Sequence, residues 1–495
     1  MRVLLINPPV TLFGKKEFWF PIPLSLAYLA AVLEQAGHEV SILDAAMEST
    51  RLENLGNDLY RVGMSNEELT KEIARKEPDL VGITCLSTPR FPNVVEITRI
   101  VKKLDSSIPT VVGGAFPSSS PEFILKTPSI DYVLVGEGEY PLLELVNSLE
   151  NKTKVFSQID GLGFKKNGSI FMNPKIHFVD DLDSIPFPSR HLLNIEKYVG
   201  NPRIGYGKKK RQTSIISSRS CPFRCTFCGI QKVWGTKWRA RSPKNVVDEL
   251  EHCITKYNIT EFSFEDDNFS TDRKRAEAIC KEIKLRKLDI TWNSPNGLHV
   301  NTLNADLLKK MRDAGFYACG LGIESGDPHI LHDVMIKNIS LKRIRKTVSE
   351  FASLGIFVLG YFVIGMPGET RESIMRTIKF AKSLDLKEIG VAIATPFPGT
   401  LLYEDCVAKG YMKPIELFSE VEMTMMGGSY PFLDTPDMKA KDLTGYVSLF
   451  YRDFYKAKVL QNPLTYMKEI MKRPQMVTKY LQNTFETLRA QNSNA

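Results

Sequence analysis

No stretch of this chain reaches the roughly 18 consecutive apolar residues that a membrane-spanning helix requires. The nearest, Phe357 to Met366, is interrupted by Gly360 and Gly365. A strand pattern begins at Arg2, so no signal peptide is expected and the cytoplasm is the predicted compartment. Thiols stay reduced there, so the eight cysteines are not a disulfide framework. Five of them (Cys85, Cys253, Cys280, Cys319 and Cys406) are scattered singly and read as small buried hydrophobes. Histidine is scarce, and none lies between His38 and His177. A metal held by that stretch therefore takes no histidine from it. Strong charge of one sign is missing too. A net charge of +8 over 495 residues is mild, with no arginine-rich tail or long basic stripe to call for nucleic acid. The densest basic run, Lys208-Lys209-Lys210-Arg211, reads as a solvated loop. Finally, no G-x-G-x-x-G follows the first strand, where Asn7-Pro8-Pro9-Val10 stands instead, and this disfavours NAD or FAD.

What is present is a globular composition, 43% hydrophobic and 25% charged, in a chain long enough for two to four domains. Over residues 1–150 strand-like runs (Val3–Ile6, Val40–Leu43, Leu80–Thr84, Thr110–Val112, Tyr132–Val135) alternate with helical ones such as Pro23–Ala36, Asn93–Leu104 and Tyr140–Leu149. That alternation predicts an α/β, doubly wound, Rossmann-like parallel sheet with ligands at the carboxyl ends of its strands. Residues 151–205 read as a linker, with a hairpin from Gly163 to Asn173 that turns at Asn167-Gly168. From 206 to 405 the alternation resumes. Strands are expected at Ile215, Glu261–Glu265, Ile290–Asn293, Tyr317–Ile323, Phe357–Ile364 and Ile389–Ala394, with helices at 243–257, 272–287, 304–314, 341–354 and 370–384. Six βα units predict a partial TIM-type barrel with chemistry at the carboxyl ends of its strands. Residues 406–495 read as a helical C-terminal region. Its stripe Tyr446, Phe450, Tyr451, Phe454 and Tyr455 reads as core, and Pro463 and Pro474 as helix starts.

The chemistry concentrates in Ser220-Cys221-Pro222-Phe223-Arg224-Cys225-Thr226-Phe227-Cys228, spaced C-x3-C-x2-C after a short strand. Three thiolates on one loop can hold three irons of a cubane cluster and leave the fourth open. A structural zinc site usually takes four ligands in two pairs, and no second pair exists here.

This spacing, with aromatic Phe227 before the last cysteine, resembles the signature of radical S-adenosylmethionine (SAM) enzymes. Four further strand ends agree in order. Phe264-Glu265-Asp266-Asp267-Asn268-Phe269 ends the second barrel strand. Gly320-Leu321-Gly322-Ile323-Glu324-Ser325-Gly326 lacks the third glycine of a dinucleotide fingerprint and resembles the fourth-strand G-x-G-x-E-S-G of this group. Gly365-Met366-Pro367-Gly368-Glu369-Thr370 ends the fifth strand, and Thr395-Pro396-Phe397-Pro398-Gly399-Thr400 follows the sixth. Upstream, Val112-Gly113-Gly114-Ala115 and Val135-Gly136-Glu137-Gly138-Glu139 each follow a strand, where glycine lets a nucleotide approach the backbone. Together with the run Pro23 to Leu29, they resemble the cobalamin-binding domain that precedes the barrel in cobalamin-dependent radical SAM enzymes. That group includes radical SAM methyltransferases and the anaerobic magnesium-protoporphyrin monomethyl ester oxidative cyclase.

The resemblance implies three cofactors: a 4Fe-4S cluster, SAM and cobalamin. Cys221, Cys225 and Cys228 would hold the cluster and carry catalysis. Phe227, Glu265, Asp266, Glu324 and Ser325 would surround SAM. Gly113, Gly114, Gly136 and Glu137 would lie near the cobalamin nucleotide tail. The D-x-H-x-x-G loop of histidine-ligated cobalamin proteins is absent, so cobalamin is expected base-off without a histidine ligand. A second departure is Phe116, where relatives often carry histidine. The implied reaction is methylation of an unactivated carbon of a small molecule or lipid, with an electron donor such as flavodoxin or ferredoxin. The alternatives are a radical oxidative cyclase or other C–C bond-forming enzyme, a sulfur-inserting enzyme, and a non-enzymatic cobalamin or iron-sulfur sensor. Sulfur insertion usually brings extra cluster cysteines, which the scattered five do not supply. The tail is expected over the barrel mouth, and its basic excess admits peripheral membrane contact as a minor reading.

Overall fold

The computed structural model describes residues 1–13, 21–49, 51–56, 59–153, 155–198, 211–426, 430–461 and 463. Most of the basic run (208–210) and Pro474 lie outside the described residues, and Pro463 is the last residue within them. No described helix is long and apolar enough to cross a membrane.

The first sheet collects β1 (Arg2–Asn7), β2 (Glu39–Asp44), β3 (Leu80–Thr84), β4 (Thr110–Gly113) and β5 (Tyr132–Leu134), all parallel, in the order 5-4-3-1-2. Such strands are covered by helices on both faces, so they read as continuous apolar runs, and β3 is buried at every position. The hairpin from the connecting segment forms as β6 (Leu162–Lys166) and β7 (Ser169–Met172) and extends this sheet past β5 as an antiparallel edge. Its two-residue turn has φ of 53° at Asn167 and 79° at Gly168, the left-handed pair that suits a right-twisted hairpin. The alternation pattern does not anticipate a small antiparallel sheet of Val10–Phe13, Leu59–Val62 and Leu52–Gly56, whose strands are short and partly exposed.

The second sheet runs β8 (Gln212–Ile215), β9 (Glu261–Phe264), β10 (Thr291–Leu298), β11 (Phe316–Glu324), β12 (Phe357–Ile364) and β13 (Glu388–Ile393), in sequence order and parallel throughout. Each crossover helix starts at a side-chain cap (Ser242, Asp272, Asn304, Ser340, Thr370) that satisfies an end N–H group. Between the sheets, Arg190 of the connecting segment reaches Glu249 on the first barrel helix at 2.7 Å, with both side chains buried. Helix Ala440–Gln461 lies against β13 and helix Arg371–Lys382. Its stripe is core: Phe450 meets Phe362 at 5.1 Å between centroids, and the Val391 N–H donates to the Tyr451 hydroxyl. At the end of β12, Leu443 of this helix packs over Gly365.

Candidate functional site

A cavity of about 360 Å³ opens where the carboxyl ends of β1 and β3 diverge, the switch point at which such sheets bind ligands. Its walls come from both sheets. Asn7, Thr84, Gly113, Gly114, Gly136 and Glu137 face Ser214, Arg219, Trp234 and Glu265, and apolar surface dominates. Gly114 has φ +120°, and a Cβ there would stand 2.6 Å from the Cys85 carbonyl oxygen. Only glycine lets β4 turn so tightly at the cavity rim. Phe116 is elsewhere, its ring packed among Phe91 and Phe123 at 5.5 and 6.1 Å.

Glu137 lines the cavity, but its carboxylate is engaged. It accepts from Arg219 at 2.9 Å, from Arg239 at 2.8 Å and from the Val179 N–H at 2.7 Å, all buried or nearly so. Glu139 takes the other arm of Arg219 at 2.6 Å. Burial pushes the Glu139 carboxyl up, but Arg219 outweighs it and holds it below the ordinary value. The Arg219 guanidinium also stacks on Trp234 and Tyr28 at 4.8 and 5.8 Å.

Arg219 leads directly into the cysteine loop. Asp266 holds the approach, accepting from the Ser217 N–H at 2.7 Å and from both the Ser217 and Ser218 hydroxyls at 2.6 Å. Ser220 sits at φ +72°, a left-handed conformation that a non-glycine residue adopts only where its surroundings hold it. Its N–H is bonded to Asp267, a half-buried residue whose carboxyl is pushed up to about 7 by desolvation and by Asp266. Cys221 and Cys225 are half-buried and Cys228 exposed. Burial, with mutual repulsion among the three, pushes the Cys221 and Cys225 thiols up to about 11. The free loop therefore holds neutral thiols, and a metal must displace their protons. Among the described residues no three metal-ligating side chains converge into a ready-made cage. Three sulfurs on one loop nonetheless match the donor chemistry of an iron-sulfur cluster. Phe227 packs partly buried against the core beside them. The other five cysteines are buried, as expected of small hydrophobes.

The fourth-strand glycines have steric causes. A Cβ on Gly320 would meet the Tyr361 ring at 2.4 Å. One on Gly322 would stand 2.6 Å from both the Glu324 carboxylate and the Lys337 ammonium. Those two groups pair at 2.6 Å, with side chains 9% and 8% exposed, and both act electrostatically on Cys225. Glu324 itself has φ +63°. The segment bearing Lys337 is tied to the cysteine loop, since the Thr226 N–H and hydroxyl donate to Met335 and Val334.

The expected residues thus fall into two groups. Cys221, Cys225, Cys228, Phe227, Asp266 and Glu324 gather around the cysteine loop. Gly113, Gly114, Gly136, Glu137 and Glu265 share the cavity. Ser325 joins neither: its hydroxyl is fully buried, 3.0 Å from Thr377, and accepts from the Asp327 N–H. Sequence reading passed over Arg219, Lys337, Asp267 and His299. The His299 ring stacks on Phe223 of the cysteine loop at 3.5 Å, and burial pushes its pKa down to about 3. Its Nε2 has no hydrogen-bond partner among the described residues.

Residues 20–146 match the family model described as B12 binding domain, and residues 215–381 match that of the Radical SAM superfamily. An uncharacterised methyltransferase of Pyrococcus horikoshii is 33% identical, over 97% of this chain and 96% of its own. The anaerobic magnesium-protoporphyrin IX monomethyl ester cyclase of Rubrivivax gelatinosus is 28% identical over 95% of this chain and 80% of its own. The radical SAM methyltransferase TsrM from Kitasatospora setae, solved with cobalamin and a 4Fe-4S cluster, shares the fold. Its TM-score is 0.69 at 19% identity, covering 92% of this chain and 88% of that one. The chain belongs to the cobalamin-dependent radical SAM enzymes, with a B12-binding α/β unit ahead of a radical SAM barrel.

Proposed function

With that membership as premise, we propose that this chain transfers a methyl group to an unactivated carbon of a small molecule or lipid. One observation carries the reading. The switch-point cavity and the cysteine loop share a wall, because helix Ile230–Trp234, which begins two residues after Cys228, lines the cavity together with Glu265. A corrin in the cavity and a cluster on the loop would then act on one substrate between them. When bound, the cluster with SAM supplies hydrogen abstraction and cobalamin supplies the methyl group.

The chain's own residues position and insulate these groups. Cys221, Cys225 and Cys228 would hold the cluster. Glu324 and Glu265 would face the cationic part of SAM. Asp266 fixes the strand that leads into the loop through its three hydrogen bonds. Gly113, Gly114 and the backbone at Gly136 leave the cavity wall open to a nucleotide tail. Glu137 supports that wall through Arg219 and Arg239. Ser325 supports the turn after Glu324 from behind. The domain limits read from the sequence are kept, except that the hairpin of the connecting segment is grouped with the first sheet. A reduced cytoplasm suits the thiols, and flavodoxin or ferredoxin suits the electron supply.

The test is anaerobic reconstitution followed by turnover with candidate substrates. Cys225→Ala is expected to abolish release of 5'-deoxyadenosine, and retained release would overturn the cluster assignment. A product heavier by one CH2 unit supports methylation. A product lighter by hydrogen would favour ring closure, the reaction class of the cyclase relative.

A further inference from the structure

We propose that Arg219 is a positioning residue that registers the cysteine loop against the corrin cavity. The inference rests on the reading of the cavity and loop given above. The turn Val135–Glu139 does two things at once. Its residues Gly136 to Glu139 line the cavity, and its two carboxylates hold Arg219, two residues before Cys221. The held group is buried, with Arg219, Glu137 and Glu139 exposed by only 4%, 2% and 7% at the side chain. Arg219 pairs through its backbone with Arg239, which braces Glu137 from the other side. Two carboxylates and two guanidiniums thus close a neutral, buried unit that joins the turn after β5 to the short strand pair leading into the cysteine loop.

Such a unit is stiff, because moving one member strands another charge out of water. Glu139 cannot shift on cavity filling without pulling Arg219, and Ser220, at φ +72°, leaves little slack before Cys221. Filling of the cavity and the order of the cysteine loop are therefore coupled, and the coupling is reciprocal. A purely structural ion pair would lend stability and nothing more.

The experiment uses the full chain, anaerobically reconstituted with iron and sulfide, with and without hydroxocobalamin. The rate of iron loss to a ferrous chelator reports the loop directly, without turnover. In the unaltered protein, cobalamin is expected to slow iron loss about fivefold or more, the usual lower range of site-to-site coupling. In the charge-balanced double variant R219M/E139Q, which leaves the Glu137–Arg239 pair intact, the cluster still assembles on its three cysteines. Iron loss there is expected to be the same with and without cobalamin. R219K, which keeps one charged contact, is expected to restore part of the effect. Reciprocally, the cluster should tighten cobalamin binding in the unaltered protein, and that difference between cluster-loaded and cluster-free chain should vanish in the double variant. Full cobalamin protection retained in R219M/E139Q would overturn the proposal, as would its absence from the unaltered protein. Failure of the unaltered protein to take up cobalamin or a cluster at all would instead overturn the underlying reading. If the double variant does not fold, E139Q alone, which leaves only the Arg219–Glu137 ion pair, should lose part of the cobalamin protection, and full protection retained there would overturn the proposal.

Discussion

The pair between Lys337 and Glu324 offers a quantitative check on the electrostatics beside the cysteine loop. At 2.6 Å, two unit charges attract by about 6 kcal/mol for an effective dielectric near 20. Both have left water, so desolvation consumes much of that attraction. Burial pulls the Lys337 ammonium down, yet Glu324 beside it holds it above its ordinary value, so it stays charged. Lys337→Met removes the cation and leaves the carboxylate buried without its counter-ion, at a cost of about 3–5 kcal/mol. The double variant K337M/E324Q carries no stranded charge and should lose only about 1 kcal/mol, the worth of a hydrogen bond. Urea unfolding of the metal-free chain measures both. Trp292, fully buried beside Phe264, Phe269 and Phe316, reports on the barrel by fluorescence. K337M alone should lower the barrel's midpoint clearly, and adding E324Q should recover most of the loss. A double variant as unstable as K337M would refute the account of a charge-neutral buried pair.

Three further outcomes are expected. Gly114→Ala places a methyl 2.6 Å from the Cys85 carbonyl at φ +120°; retained cobalamin, measured by absorbance after gel filtration, should fall at least tenfold, a change of about 1.4 kcal/mol. Asp266→Ala leaves the Ser217 N–H and two hydroxyls without an acceptor, so cluster occupancy per chain should drop after reconstitution while helical circular dichroism is kept. Burial pushes the Glu369 carboxyl up to about 7, and its Oε1 has no hydrogen-bond partner among the described residues. The folded chain therefore binds that proton more tightly than the unfolded one. Its contribution is most favourable below pH ~4.5 and is lost as pH rises to about 7, by roughly 3 kcal/mol at most. Glu369→Gln should flatten the fall in urea midpoint across that window, and an unchanged slope would count against this origin.

Much of the architecture was legible because its signals are local. The strand-helix alternation placed all six barrel strands and their five helices, since each βα unit buries its own apolar stripe. The hairpin announced itself through Asn167-Gly168, whose left-handed pair is chemically specific. The small sheet of Val10–Phe13, Leu52–Gly56 and Leu59–Val62 gave no such signal, being short and having Val10 paired with Val62 far along the chain. The cysteine loop was legible for the same local reason, three cysteines within eight residues. Arg219 was not, because its partners lie 82 and 80 residues earlier and nothing in Ser218-Arg219-Ser220 declares them. Glu137 lines the cavity, and only the fold shows that its carboxylate is committed to two arginines far along the chain.

By itself the sequence determined the chemistry: which side chains could hold iron, and which strand ends carry acids and glycines. These depend on residue type and spacing along one loop, which folding does not alter. Only the tertiary structure decided how the two halves meet. The switch-point cavity takes one wall from each sheet, and the Glu137–Arg219–Glu139 unit joins its rim to the cysteine loop. Such a buried ionic contact exists only when distant segments exclude water together, so no stretch of the chain carries it alone.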